Sequence, residues 1–268
     1  KIRVVHCFMM SSAHGQKFSC GRLETPTLAE LRARVAAVNT FAGEISVREI
    51  VANVQDLHCD VVNSDALFQV ASQFNLLEMV SPSVTPEDGV GIYEHDRTQG
   101  PACAIACGAG TIYRNYFLPV NGQIGQTATN QVDCLADIGN RLGNDNGRLW
   151  QMKNGYALPS GEGIAQISNM LQLSSESELD ELRKLLRIGL HWDTQVTLKN
   201  CQHSVTQAYC SALPVAYSPH SPSVWEPFAR LVLEAAYEAT LCAGILNAKT
   251  NGNQSVYLTL LGGGAFGN

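Results

Sequence analysis

Between Pro86 and Tyr116 the chain reads PEDGVGIYEHDRTQGPACAIACGAGTIYRNY, and this stretch narrows the possible folds more than any other. Glu87, Asp88, Glu94 and Asp96 place four carboxylates within ten residues, among Pro86, Gly89 and Gly91, which oppose regular structure. An acidic loop is expected there. Pro101, after Thr98-Gln99-Gly100, suits the first turn of a helix, where an amide would lack an intrahelical partner anyway. The run ACAIACGAGTIY continues that helix, and its small side chains let a neighbouring sheet come close, so the loop and the helix start rest on a rigid base. Carboxylates kept together against their mutual repulsion point to a use for them, the plain alternative being a solvated acidic face.

A chain of 268 residues is long enough to bury roughly three quarters of its unfolded surface, and it reads as one domain over 1–268. With 16% charged and 45% hydrophobic residues it has the composition of an ordinary chain with a generous core. Its net charge is −6 and no basic run stands out, so no nucleic-acid partner is expected, because phosphate backbones need a positive stripe. A nucleotide-sized ligand is compatible, since helix-start amides hold phosphates without a mark in the charge count. Nine scattered cysteines, an odd number without a CxxC pair, read as buried thiols of a reducing, cytoplasmic compartment. Cys103 and Cys107 have helical spacing but no histidines at similar spacing, so no metal site is expected. No apolar run approaches the roughly 20 residues of a membrane span, so no membrane partner is expected. Lys1 is not a natural start, and a trimmed chain is expected.

In chain order, IRVVHCF predicts a strand near the core, and Thr27-Leu28-Ala29-Glu30 a capping box opening an amphipathic helix to about Phe41. EIVANV and CDVVN read as strands. ALFQVASQFNLLEM is apolar nearly all round and reads as a helix buried on most sides, whose Gln69, Gln73 and Asn75 must bond to backbone or ligand. NYFLPV predicts a strand, VDCLADIGNRLG a helix, and WQMKNGYALPS a strand or an extended hairpin around Asn154-Gly155. Helices follow at GIAQISNML and from Ser177 through SELDELRKLLRIGL, then strands at TQVTL and VTQAYCSALPVAY. Ser223-Val224-Trp225-Glu226 predicts a capping box for a long helix to about Ile245, and SVYLTLL a last strand running into GGGAFGN.

A strand that runs into glycines places backbone amides around phosphates. Gly262, Gly264 and Gly267 fit GxGxxG, but a nicotinamide-dependent oxidoreductase needs a helix, a second strand and a ribose-binding acid downstream, which this chain lacks. A tight turn requiring positive φ is the plain alternative. Together with Ala52-Asn53-Val54 through Asp60-Val61-Val62-Asn63, the ending YLTLLGGGAFGN resembles the macrodomains, ADP-ribose binders with a mixed sheet between helices. FQVASQFNLLEM, DRTQGPACAIACGAGTIYRNYF and VYLTLLGGGAFGN resemble more closely the divergent macrodomains of the MavL type, which remove ADP-ribose from arginine side chains, including on ubiquitin.

The resemblance implies an α/β fold with a macrodomain-like mixed β-sheet flanked by helices, with additional helices, truncated here at its C-terminal helix. It implies an ADP-ribosylhydrolase whose partners are ADP-ribose and an arginine-linked ADP-ribosylated protein, with ubiquitin among the candidates. Cleaving the N-glycosidic bond passes through an oxocarbenium-like centre, so one carboxylate must activate water and another hold the guanidinium. Asp96, next to the helix start, takes the acid/base role and Asp88 the guanidinium, with Glu87 and Glu94 as reserves and His95 as a bystander. Asn53 stands where typical macrodomains carry an Asp that reads the adenine amino group, and its carbonyl can accept the same bond. The resemblance puts Phe74 and Asn75 near the adenosine or ribose, Gln73 as a further polar contact, and Thr98, Gln99 and Gly100 at the distal ribose. Gly262, Gly263, Gly264, Ala265 and Phe266 would wrap the diphosphate, with Phe266 closing over the ribose. No metal or cofactor is implied, because backbone amides neutralise the phosphates. The competing class is a reader module that binds ADP-ribose without cleaving it, and the presence of both Asp88 and Asp96 argues against it.

Overall fold

The computed structural model describes residues 2–12, 15–38 and 44–267. Its strands are β1 (Ile2–Val5), β2 (Phe8–Ser11), β3 (Lys17–Ser19), β4 (Arg22–Glu24), β5 (Leu67–Ala71), β6 (Pro119–Val120), β7 (Gln123–Ile124), β8 (Trp150–Lys153), β9 (Tyr156–Pro159), β10 (Gly189–Gln195), β11 (Ser204–Cys210) and β12 (Val256–Tyr257). Its helices are α1 (Leu28–Ala37), α2 (Val54–Cys59), α3 (Gln99–Ala106), α4 (Gly108–Tyr116), α5 (Ala136–Leu142), α6 (Gly161–Leu173), α7 (Glu176–Arg183) and α8 (Pro222–Asn251). The main sheet has the order β12-β5-β11-β10-β4. β12, β5 and β11 are parallel, whereas β10 runs antiparallel to both β11 and β4. The class is therefore α/β with a mixed sheet, as the sequence predicts.

The centre of this sheet is the segment that reads as a buried helix. Leu67–Ala71 is a strand, and residues 72–79 follow it as a buried irregular loop. Its side chains alternate between two helical layers. Gln69 donates through Nε2 to Thr240 Oγ1 of α8 at 2.9 Å, while Phe68 stacks on His58 of α2 and on Tyr257, with ring centroids 3.9 and 4.6 Å apart. β11 does the same, with Thr206 bonded to Asn247 of α8 and Gln207 to the Cys103 carbonyl of α3. A strand covered on both faces buries every position, here apolar side chains with the paired amide of Gln69 among them, so it carries no period-two signature and mimics an all-round apolar helix.

Other departures have similar causes. EIVANV and CDVVN are not strands: residues 49–53 are exposed without regular structure, Asn53 caps α2, and Val61–Asn63 is a single 3-10 turn capped by Asp60. Their β-branched residues favour strands only where a partner edge is at hand. IRVVHCF forms the β1–β2 hairpin of a separate three-stranded sheet, with Ile2, Val5, Phe8 and Met10 exposed rather than in the core. ACAIACGAGTIY is split into α3 and α4 at Cys107, where the freed Ala106 carbonyl accepts from Thr197 N at 2.8 Å and Gly108 N donates to Thr197 Oγ1. α7 is capped by Ser175 and Glu178, two residues before the expected start. α8 begins at Pro222 without a side-chain cap, so the expected box at Ser223 does not form. Its capping-box counterpart at Thr27 does form, and α1 ends at Ala37; Phe41 lies outside the described residues.

By length and composition α8 is long and apolar enough to cross a membrane, yet 56% of its apolar window is buried inside the molecule, the pattern of a core helix. Trp225, Phe228, Val232, Ala236 and Ala239 face the interior, while Arg230, Glu234 and Glu238 form ion pairs on the other side.

Candidate functional site

In open α/β sheets, ligands sit outside the carboxyl ends of parallel strands. Here three such ends, those of β5, β11 and β12, release residues 72–79, 211–218 and 258–267. The start of α3 is fastened to the first of them. Gln99 Oε1 accepts from Ala71 N at 2.9 Å and its Nε2 donates to Gln69 O at 2.8 Å, so its amide continues the ladder of β5. Gly100 comes so close to the same strand that a Cβ there would collide with Ala71 O and with the Glu78 carboxyl. Gly100 precedes the small-residue run ACAIACGAGTIY; the close approach expected of that run is made at Gly110, where a Cβ would meet Thr194 and His191 of β10.

The acidic segment consists of two 3-10 turns, Pro86–Asp88 and Val90–His95, rather than a loop without structure. Asp88 is exposed and accepts from Thr85 N at 2.8 Å and from its hydroxyl, closing the first turn. Both Glu87 oxygens accept from Ala128 N. Glu94 and His95 lie out in solvent, 3.7 Å from each other. Asp96 is half-buried and accepts from Thr98 N at 2.8 Å, just before α3.

The closing glycines form a run of turns, with Gly262 and Gly267 at positive φ. The loop is anchored by the Tyr237 hydroxyl of α8, which donates to Thr259 O and accepts from Leu261 N. Among the described residues the amides of Gly262, Gly264, Ala265 and Phe266 donate to no protein acceptor. Phe266 packs on Tyr156 and Tyr217, with centroids 5.5 and 5.7 Å away. Tyr156, buried at the start of β9, donates to Met79 O at 2.6 Å, and its phenol is raised by burial, by Tyr217, and by the charges of Glu78 and Asp96. The glycine loop, through Phe266, and the end of the β5 loop, through Met79, therefore meet at one tyrosine.

The remaining expected contacts lie deeper or elsewhere. Phe74 and Asn75 are buried. Asn75 accepts from Leu77 N and donates to Gln131, which passes a bond on to Asn154. Gln73 is buried and accepts from Met79 N. These amides hold the 72–79 loop in shape. Asn53 is exposed and accepts from Gln55 N as the cap of α2. Beside the acidic turns, a cleft of ≈ 480 Å³ lined by Thr85, Gln131, Asp133, Lys153 and Asn154 contains none of the expected ligand contacts. Among the described residues no group of three His, Cys, Asp or Glu side chains could hold a metal ion.

Sequence reasoning missed Glu78, Tyr156 and Arg114. Glu78 is 2% exposed, and burial, reinforced by Asp96 and opposed by Arg114, raises its carboxyl well above the usual range. Its signal was a lone carboxylate inside the apolar run ALFQVASQFNLLEM. Arg114 is fully buried, donates to Leu76 O and Thr111 Oγ1, and stacks 3.7 Å over Tyr209. No family model, curated protein or solved structure matches the chain.

Proposed function

We propose that the protein is an ADP-ribosylhydrolase that releases ADP-ribose from arginine side chains, with an arginine-ADP-ribosylated protein such as ubiquitin as its cytoplasmic substrate. The observation that supports this reading is that a glycine loop with unengaged amides ends on Phe266, which packs against Tyr156 where its hydroxyl holds the end of the β5 loop at Met79 O. Amides without protein acceptors suit a diphosphate. Gln99 and Gly100 border the distal ribose, and Asp96 takes the proton of the attacking water as the C1″–N bond of the arginine linkage breaks. Asp88 offers its charge to the guanidinium from the neighbouring turn. This linkage carries a cation, so arginine-linked ADP-ribose should be released much faster than an ester on glutamate.

The experiment incubates the protein with arginine-ADP-ribosylated ubiquitin and measures released ADP-ribose, beside Asp96→Asn. Turnover should fall roughly 10²- to 10⁴-fold in the variant. ADP-ribose at a hundredfold over its Kd should add about 2.7 kcal/mol to the stability of both proteins. Binding without release would make the protein a reader module, and neither binding nor release would remove the ADP-ribose reading altogether.

A further inference from the structure

Three contacts fasten the connection between β10 and β11 to α2. Lys199 Nζ pairs with Asp56 Oδ1 at 2.6 Å, Cys201 Sγ donates to Cys59 O at 3.6 Å, and His203 Nε2 lies 2.8 Å from His58 O. The connection reaches α2 through a turn in which Lys199 and Asn200 take left-handed backbone angles, φ 51° and 58°, and which Cys201 N closes on Leu198 O. Cys59, the last residue of α2, and Cys201 are thus neighbours across 142 positions of sequence. Both pack against the cluster of Ala66, Phe68, Cys107, Val196 and Val205, and their thiols hydrogen-bond to each other. The expectation of buried thiols holds for Cys20, Cys103, Cys107, Cys134, Cys210 and Cys242, whereas Cys59 and Cys201 are half-buried and Cys7 is exposed. A peroxide can therefore reach the Cys59–Cys201 pair from solvent.

We propose that Cys59 and Cys201 are an oxidative modification site, a dithiol that hydrogen peroxide converts to a disulfide between α2 and the β10–β11 connection. This chemistry does not depend on ADP-ribose hydrolysis. The Cys201 thiolate attacks one peroxide oxygen, the O–O bond breaks, and the departing hydroxide takes up a proton and leaves as water. The Cys59 thiolate then attacks the Cys201 sulfenic acid, forming the S–S bond and expelling the second oxygen, which also leaves as water. Two thiols are oxidised to one disulfide, and the two electrons reduce the peroxide. Burial and the Cys201 thiol beside it raise Cys59 above the ordinary thiol value, which makes Cys201 the attacking residue and Cys59 the resolving one. A bridge between residues so far apart in sequence restricts the unfolded chain strongly. It also pins α2, whose Gln55 Nε2 donates to Ala102 O of α3 at 3.4 Å.

The test exposes the folded, reduced protein to hydrogen peroxide, blocks the remaining thiols by alkylation and maps the peptides by mass spectrometry without reduction. A peptide linked through Cys59 and Cys201 should appear in the monomer, and the intact mass should fall by two hydrogens. Dithiothreitol should reverse both changes. The melting temperature should rise on oxidation and return on reduction. In Cys59→Ser no link should form, the melting temperature should not rise, and dimedone should trap a sulfenic acid at Cys201. Cys201→Ser should likewise form no link. If either variant does not fold, the peptide map of the wild type decides alone. Peroxide that oxidises Cys7 while Cys59 and Cys201 remain free thiols overturns the proposal. So does a link to another cysteine, such as Cys7 to Cys20, whose backbones meet at 2.8 Å, or a Cys59–Cys201 link that forms only after denaturation.

Discussion

Gly100 shows how much one absent methyl group decides. In an ordinary helix, glycine to alanine gains up to about 1 kcal/mol. Here the new Cβ would meet Ala71 O, a backbone atom that cannot turn aside, and the Glu78 carboxyl. Gly100→Ala should therefore lower stability by about 1–3 kcal/mol, the usual cost of overpacking, and urea unfolding would measure it. An unchanged or higher midpoint would show that α3 can move off β5. The buried amides answer to the same local logic. Gln69, Gln73 and Asn75 each accept from a backbone amide, those of Thr259, Met79 and Leu77, so the choice left open by the sequence between backbone and ligand goes to the backbone.

Among the elements, α1, α7 and α8 are tied at one point. Arg32 of α1 makes a bidentate pair with Asp180 of α7 at 2.8 and 3.0 Å and another with Glu238 of α8 at 2.6 and 2.7 Å. The Arg32 guanidinium, assisted by Lys184, holds the Asp180 carboxyl down to about 2 against a partial burial cost. A depressed carboxylate stabilises the fold above its unfolded value, 3.8, and loses that contribution as pH falls toward 2. Because the pair is partly open to solvent, Asp180→Asn should cost only about 0.5–1 kcal/mol at neutral pH. That difference should shrink at high salt and vanish near pH 2, as chemical unfolding across both ranges would show.

Over the whole molecule, acid sensitivity should be set by two buried histidines on the α2–α4 side of the sheet. His58 Nδ1 lies 2.7 Å from Val54 O and its Nε2 faces the Gln207 amide nitrogen, while His191 bonds Cys20 O through Nε2 and turns Nδ1 to Arg114. Each ring thus has one donor and one acceptor position, the pattern of a neutral imidazole. Burial lowers His58 to about 4, and burial with the Arg114 charge lowers His191 to about 3. The unfolded chain takes up these protons near 6.5, so it binds more protons than the native state below that pH. Stability should be full above pH 6.5 and fall by up to about 1.4 kcal/mol per pH unit for each histidine until the folded values are reached. Thermal melts from pH 7 to 4 test this, and His191→Gln should flatten the slope. A flat wild-type profile would contradict the neutral assignment.

By itself the sequence determined what depends on neighbours along the chain: the Thr27 capping box, the hairpin turn with Asn154 and Gly155 at positive φ, the interrupted backbone around Pro86, and the helical starts of α3 and α6. These follow from backbone angles and caps that a few residues settle locally. The α/β class was legible for the same reason, as the sum of such elements. Only the tertiary structure decided that Leu67–Ala71 is a central strand, because layers on both faces, α8 and α2 to α4, bury apolar side chains on both sides of it and erase the period. It also decided that EIVANV pairs with no strand among the described residues, and that Asp88 closes a turn on Thr85 while Glu78 is a buried acid beside Gly100. Burial and proximity between residues distant in sequence are properties of the packed chain, and they change what a carboxyl group can do without changing the residue that carries it.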